Sequence, residues 1–147
     1  MSSLEQLLSS PESTQVLKVI VAFEKVSPKK IADLTNYGQP KVKETLVQLQ
    51  KADVVKKNQQ GTEYSLSGSS LAQKIKLSLE EVLIREAGEE LTTVLFNVNM
   101  AKGDRDLLNA IRGLNDFLEG IHGPIVKLSF QDIVFDLADK LEKQIMR

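Results

Sequence analysis

The residues between Gln39 and Gln48 include five side chains that can contact the edges of DNA bases. A glutamine amide can pair with adenine, a lysine ammonium group can bind guanine, and a threonine can touch a base methyl group. We therefore hypothesise a DNA-reading face made of Gln39, Lys41, Lys43, Thr45 and Gln48. The plainer interpretation is a solvated helix surface, because polar residues lie opposite any apolar stripe.

Four lysines and a glutamine outside this segment are candidates for contact with the DNA backbone. Lys56, Lys57 and Gln59 lie in or beside a predicted hairpin, whereas Lys29 and Lys30 begin a predicted helix. Lysines in such positions can bind phosphates and orient a protein on the duplex without reading its sequence. Two other interpretations stay open: charges protect an exposed hairpin edge from pairing, and a lysine pair keeps a surface soluble.

Three helices, each opened by a proline, are predicted to precede that hairpin. They start near Pro11, Pro28 and Pro40, because proline suits the first helical turn, where its missing N–H would have no partner. The second helix is predicted to break at 36–38, where Asn36 and Gly38 both tolerate a positive φ. The third is predicted to run to about residue 52.

One apolar stripe marks the third helix, and a pair of strands follows it. Val42, Leu46 and Leu49 recur at spacings of four and three, which is typical of a helix with one buried side. A strand over 54–57, a turn over 58–61 and a return strand over 62–67 complete the predicted order of helix, helix, helix and hairpin.

The segment Gln39–Val55 reads QPKVKETLVQLQKADVV and resembles the recognition-helix signature of the ArsR-like and MarR-like winged-helix regulators. The stripe residues stand where that family has buried positions, and Tyr64–Ser67 is similar to the strand before its linker helix. The resemblance covers about residues 12–75. It implies a winged helix-turn-helix domain over 11–68 that reads the DNA major groove with helix 40–52 and contacts phosphates with its wing.

Residues 69–147 are predicted to be a helical region that forms a homodimer. Its apolar stripes exceed what a winged domain needs to close, although a self-contained helical bundle would also use them. The predicted helices span 69–87, 89–100 and 104–120, with Gly88 as a break, and a final helix starts from a capping box at Ser129 and Asp132. His122-Gly123-Pro124 is predicted to be a loop in which the histidine has no specific role.

Composition narrows the functional classes. The chain has no cysteine and one histidine, so cysteine-based metal sites and nucleophiles are excluded, and we expect neither a metal nor another cofactor. Phosphate loops and Ser-His-Asp patterns are also lacking, which favours a non-enzyme. Residues 1–77 carry 11 lysines and seven acids, whereas 78–147 carry eight basic residues and 13 acids. This uneven charge distribution would fit a basic N-terminal half that reads DNA and an acidic C-terminal half that mediates assembly. It could equally arise by chance.

The sequence therefore predicts a mostly α (α+β) protein that binds double-stranded DNA as a homodimer and regulates transcription. We expect it in the cytoplasm, without a secretory signal or a membrane span, and its effector is unknown. Two alternatives remain open, because a fold does not determine a function. One is a protein-protein interaction module, which the net charge of −1 favours, and the other is an architectural DNA binder without sequence preference.

Overall fold

The computed structural model describes residues 9–145, with positions 127, 128, 134, 138, 141, 144 and 145 described by their backbone only. It is mostly helical and has one two-stranded antiparallel sheet, which confirms the expected α+β class at this level. A further helix predicted over 4–8 lies outside the described residues. The elements are α1 (Pro11–Phe23), α2 (Pro28–Thr35), α3 (Gln39–Lys51), β1 (Val55–Lys57), β2 (Tyr64–Leu66), α4 (Ser70–Asn99), α5 (Gly103–Glu119), α6 (Gly123–Ser129) and α7 (Gln131–Ile145).

Contacts divide the chain into two units, residues 1–81 and 82–147. The sequence placed the boundary at 68/69, after the hairpin, whereas the structure places it inside α4. The first turns of α4 belong with the first unit, where Ala72, Ile75 and Leu79 are buried. A boundary inside a continuous helix leaves no turn or composition change for a sequence reading to detect.

Serine caps start the first two helices of the first unit. The hydroxyl of Ser10 accepts the amide of Ser13 at 3.3 Å, and the hydroxyl of Ser27 accepts the amide of Lys30 at 3.2 Å. Such caps satisfy amides that have no partner within the helix. Helix α1 is buried around most of its circumference, because its apolar residues occupy nearly every side.

Asn36 ends α2 in the left-handed conformation at φ 64°, so the chain turns within three residues and enters α3. The predicted break at this position is confirmed. In α3 the stripe residues Val42, Leu46 and Leu49 have no exposed surface, which confirms the helical spacing read from the sequence. Burying three such side chains stabilises the helix by about 1.5–3 kcal/mol each, before the entropy of ordering is subtracted.

The hairpin is shorter than predicted, since its strands cover 55–57 and 64–66 only. The side-chain oxygen of Asn58 accepts the amides of Thr62 at 2.8 Å and Glu63 at 3.1 Å, so these residues belong to the turn instead of the ladder. Gly61 completes the turn at φ 70°, a conformation that favours glycine. An isolated bridge between Val26 and Tyr64 adds a short extended segment beside β2.

Helix α4 runs unbroken for 30 residues, and the predicted break at Gly88 is therefore wrong. Glycine inside a helix costs about 1 kcal/mol relative to alanine, which packing outweighs here. Leu83, Ala87 and Leu91 are buried on both sides of the glycine, and the hydroxyl of Thr92 donates to the Gly88 carbonyl oxygen at 2.9 Å. Burial of the neighbouring turns therefore holds the helix together at this position.

A small apolar core joins the helices of the second unit. Its buried members are Val98, Ala110, Leu114 and Leu137, which come from α4, α5 and α7. Partly buried side chains of α4 and α5 pack around them. The second unit therefore has a core of its own within the described residues.

Two predictions about the end of the chain are corrected. The supposed loop at 122–124 contains the start of α6, because Pro124 occupies one of the first helical positions and preorganises the turn. Ser129 ends α6 and does not cap the final helix, which begins at Gln131, so the predicted capping box is wrong. Gly123 is required here, because a Cβ at this position would overlap the carbonyl oxygen of Leu118.

Within residues 9–145, no helix is long and apolar enough to cross a lipid bilayer.

Candidate nucleic-acid interface

Helix α3 exposes a polar face opposite its buried stripe. Gly38 occupies the N-cap position and has no side chain to bond the first amides of the helix, so these point outward with the positive end of the helix dipole. Four of the five candidate base-contacting residues are exposed on this helix, namely Gln39, Lys41, Lys43 and Gln48. The structure thus presents two ammonium groups and two amides on one accessible helix.

Thr45 is the exception, and its predicted place on the exposed face is wrong. Only 3% of Thr45 is accessible, and its hydroxyl donates to the carbonyl oxygen of Lys41 at 2.9 Å. A threonine one turn from an exposed lysine can satisfy its hydroxyl on the helix backbone and bury its methyl group. Thr45 therefore belongs to the packed side of the helix and cannot touch a base there.

Two further residues, outside the candidate set, share the exposed face. Glu44 is exposed, so the face contains one carboxylate beside its lysines. Val47 is 46% accessible, which makes it an apolar contact surface between Lys43 and Gln48. Its place one residue after the buried Leu46 was the available signal, because adjacent residues point about 100° apart on a helix.

The hairpin presents Lys56 and Lys57, which are both exposed. In the register of the sheet Lys56 lies opposite Ser65 and Lys57 opposite Tyr64. The Lys57 ammonium group is 5.7 Å from the centre of the Tyr64 ring, within the range of a cation–π contact. That contact restrains Lys57 near the ring without neutralising its charge.

Gln59 is exposed at the tip of the same hairpin. The turn that carries it is ordered by Asn58, whose amide nitrogen also donates to the hydroxyl of Thr62 at 3.1 Å. The hydrogen bonds of Asn58 therefore order the tip of the hairpin, which can hold Gln59 at a defined position.

Lys29 and Lys30 are exposed in the first turn of α2. The ammonium group of Lys30 lies 5.5 Å from the centre of the Phe23 ring, a second cation–π contact. Within the described part of the chain, no carboxylate forms an ion pair with any lysine among the candidates on α2, α3 and the hairpin. These ammonium groups are therefore available to an external anion.

The second unit contains the only histidine of the sequence, in a setting that the sequence did not reveal. His122 is buried, with Nε2 at 3.2 Å from a Glu86 carboxylate oxygen and Nδ1 at 3.0 Å from a Glu90 carboxylate oxygen. His122 therefore has two carboxylate partners and is not the unpartnered loop residue that the sequence suggested. The four-residue spacing of the two glutamates places them on one face of α4, which was the available signal.

This histidine cluster does not form a metal site. Both ring nitrogens already face carboxylates, and no group of three or more potential ligands with suitable geometry occurs among residues 9–145. An imidazolium would donate to both carboxylates, because it carries a proton on each nitrogen. The arrangement thus links α4 to the segment before α6.

Comparison of this chain with known protein families, with curated proteins and with solved structures finds no match in any of the three.

Proposed function

We propose that the first unit is a winged helix-turn-helix domain that binds double-stranded DNA, and that the protein is a homodimeric regulator of transcription. In this proposal α3 enters the major groove and the β1–β2 hairpin is the wing. The single observation that carries it is the exposed face of α3, with its lysines and amides, followed directly by a lysine-bearing hairpin.

The order and connections of the elements support this proposal. Helices α2 and α3 are joined by a three-residue turn whose first residue, Asn36, is left-handed, and such a turn is typical of helix-turn-helix motifs. The buried stripe of α3 attaches the helix to the domain by one side only. Its opposite side can therefore enter a groove about 12 Å wide.

The side chains divide into two roles. Gln39, Lys41, Lys43 and Gln48 are proposed to contact base edges, because amides pair with adenine and ammonium groups with guanine. Val47 adds an apolar surface that can pack on a thymine methyl group. The uncapped amides of α3 would attract a phosphate, and the remaining candidates are proposed to bind the DNA backbone, namely Lys29, Lys30, Lys56, Lys57 and Gln59.

Dimerisation through the second unit would place two reading heads about one DNA turn, ~34 Å, apart. Large apolar side chains exposed on α4, α5 and α7 and directly after α4 support it, because exposed apolar residues in such numbers favour association; they are Phe96, Met100, Leu108, Ile133 and Phe135. The acidic character of this half would keep it from competing for DNA.

A fluorescence-anisotropy titration with a duplex library at several salt concentrations tests DNA binding. Each lysine that neutralises a phosphate adds about 0.9 to the slope of log affinity against log salt. We expect the Lys56→Ala/Lys57→Ala variant to lower that slope by about 1.8 and the affinity at 0.1 M salt by about 60-fold. The Lys102→Ala/Arg105→Ala variant removes the same charge from the second unit and should change neither.

Base reading requires a separate measurement. A Gln39→Ala/Lys43→Ala variant should bind its selected sequence at least tenfold more weakly, while its affinity for random DNA should fall much less, since a good base contact is worth about 1–3 kcal/mol. Lack of binding at 50 mM salt, or equal slopes in all variants, would refute DNA binding. Equal affinity for selected and random DNA would instead identify an architectural binder.

A protein-protein interaction module is the second candidate, and one observation favours it. The exposed face of α3 combines Glu44 and the half-exposed Val47 with its lysines, a mixture that also suits a protein surface. Co-purification of a stoichiometric protein partner that a Val47→Asp substitution abolishes, together with absent DNA binding, would establish this alternative.

A further inference from the structure

The side of α3 that lies directly opposite its buried stripe has a carboxylate and an apolar side chain at its centre. Val42 and Leu49 have no exposed surface and lie one above the other in the stripe. Two steps along a helix turn a side chain by about 200°, so residues two positions before or after these point the opposite way. They form one line of exposed side chains, namely Pro40, Glu44, Val47 and Lys51.

The exposed lysines and glutamine nearest to Glu44 flank this line. Each residue turns the helix by about 100°, so Lys43 lies on one side of Glu44, whereas Lys41 and Gln48 lie on the other. A helix that enters the major groove with its buried side away from the DNA directs such a line at the base edges. The flanking side chains then face the walls of the groove, where the phosphates lie.

Glu44 has no partner in the described part of the chain. Its side chain is exposed, and its carboxylate forms no hydrogen bond or ion pair with any residue that the structure describes. Lys41 is one turn earlier on the helix, a spacing at which opposite charges can pair, yet the two side chains do not pair. The carboxylate therefore stays available to an external hydrogen-bond donor.

The chemistry of a carboxylate restricts the bases that it can contact. An ionised carboxylate only accepts hydrogen bonds, so it needs an amino group on the base. In the major groove guanine and thymine present acceptors, whereas cytosine and adenine each present an amino group. Adenine also presents the acceptor N7 beside that group, which would repel the second carboxylate oxygen. Cytosine has no such acceptor on its own edge, so it suits a carboxylate best.

We propose that Glu44 determines sequence specificity by accepting a hydrogen bond from the amino group of a cytosine, an inference that rests on the proposed function. Val47 follows Glu44 by about 4.5 Å along the helix axis, which is close to the spacing of about 3.4 Å between stacked bases. Its contact with a thymine methyl group would therefore fall on a neighbouring base pair. The preferred DNA sequence then contains a cytosine next to a thymine.

The same carboxylate weakens binding to other sequences. The lysines attract any duplex through its phosphates, so they raise affinity without regard to sequence. An unpaired carboxylate opposite guanine or thymine faces acceptor atoms and is repelled. Specificity then arises from this repulsion as well as from the contact with cytosine. Removal of the carboxylate should therefore weaken binding to the preferred sequence and strengthen binding to random DNA.

A substitution series in the DNA tests the role of Glu44. Selection from a random duplex library gives the preferred sequence of the wild-type protein, and each base pair is then replaced in turn in an anisotropy titration at fixed salt. Replacement of one cytosine by guanine should weaken wild-type binding about tenfold. N4-methylcytosine, which keeps the pair with guanine but blocks the amino group in the groove, should have the same effect at that position.

Two variants of Glu44 identify the residue that reads this position. Glu44→Ala should reduce the loss caused by the cytosine replacement to less than about twofold, because the contact is already absent. Glu44→Gln should shift the preference at the same position to adenine, since a glutamine amide pairs with both N6 and N7 of adenine. Asp33→Asn is the matched control, because it removes one exposed carboxylate from α2 and should leave the preference for cytosine unchanged.

The outcomes distinguish the role of Glu44 from DNA binding itself. Absence of duplex binding by the wild-type protein would refute both. Binding without any base preference, or a preference that both Glu44 variants retain, would refute the role of Glu44 and leave DNA binding standing. An equal gain in affinity of Glu44→Ala for all sequences would also overturn it, because that gain would reflect only general repulsion between the carboxylate and the phosphates.

Discussion

Replacement of His122 by alanine should destabilise the second unit substantially. The histidine side chain is only 7% accessible, and its two ring nitrogens contact Glu86 and Glu90. The substitution removes both contacts and leaves space where the imidazole packed. It also leaves a partly buried carboxylate without this hydrogen-bond donor, which is costlier than losing an exposed ion pair.

The magnitude follows from the exposure of each partner. Glu86 is 31% accessible, so its contact is expected to contribute about 1–2 kcal/mol, toward the lower end for a hydrogen bond with a charged group. Glu90 is 52% accessible, and solvent screening limits that contact to about 0.5 kcal/mol. Loss of ring packing adds about 1 kcal/mol, which brings the expected loss to about 2–4 kcal/mol.

Urea unfolding followed by circular dichroism measures the global loss, and hydrogen exchange at the Val126 amide provides a local reading. That amide donates to the His122 carbonyl oxygen at 2.9 Å, so its protection should fall when the segment before α6 loosens. Lys76→Ala is the matched control, because it removes an exposed 4.0 Å ion pair and should cost under about 0.5 kcal/mol.

A double-mutant cycle isolates the pairwise energies. Combining His122→Gln with Glu86→Gln should give a larger coupling energy than combining it with Glu90→Gln, because the second glutamate is more exposed. A destabilisation by His122→Ala no larger than that of Lys76→Ala would refute the reasoning, and so would equal couplings for both glutamates.

Three further predictions concern other positions. Thr45→Val keeps the buried shape and should change DNA affinity less than twofold in the titration, whereas a tenfold loss would restore Thr45 to the reading face. Gly88→Ala should raise the free energy of unfolding by about 0.5–1 kcal/mol, because its Cβ meets only an ordinary contact at 3.5 Å, while Gly123→Ala should lower it by at least about 2 kcal/mol in the same urea assay. The pKa of Glu12 should lie below 4.5 by NMR titration, because its own backbone amide and then the Ser10 hydroxyl stabilise the carboxylate. This contribution to stability is present above pH 4.5 and is lost as the pH falls through the folded pKa; a Ser10→Ala variant with an unchanged Glu12 pKa would contradict that cause.

Local signals predicted much of the first unit. The prolines that open α1 and α2 act within the first helical turn, and the α3 stripe repeats within one element. Neither depends on what lies elsewhere in the chain, so a sequence reading recovers them. The left-handed conformation of Asn36 could be predicted for the same reason, because it depends only on the residue and its neighbours.

Tertiary packing decided the positions where prediction failed. Gly88 is a helix breaker by propensity, yet burial on both sides of it keeps α4 continuous. His122 finds its carboxylate partners 32 and 36 residues earlier in the chain, a separation that carries no local pattern. The prediction for Thr45 failed for another reason. A threonine hydroxyl can donate to a carbonyl oxygen of the preceding helical turn, so threonine tolerates burial at a position that appears polar.

In the candidate interface, too, some features could be predicted from the sequence and others depend on the fold. Its lysines could be read from the sequence, whereas the rings that restrain Lys30 and Lys57 depend on the fold. A lysine held near an aromatic ring keeps its full charge and has less side-chain entropy to lose when it binds a phosphate. Lysines that serve only for solubility gain nothing from such restraint. The two cation–π contacts therefore favour phosphate binding over the solubility interpretation at these two positions, and replacing Phe23 or Tyr64 by leucine should weaken DNA binding without changing its salt slope.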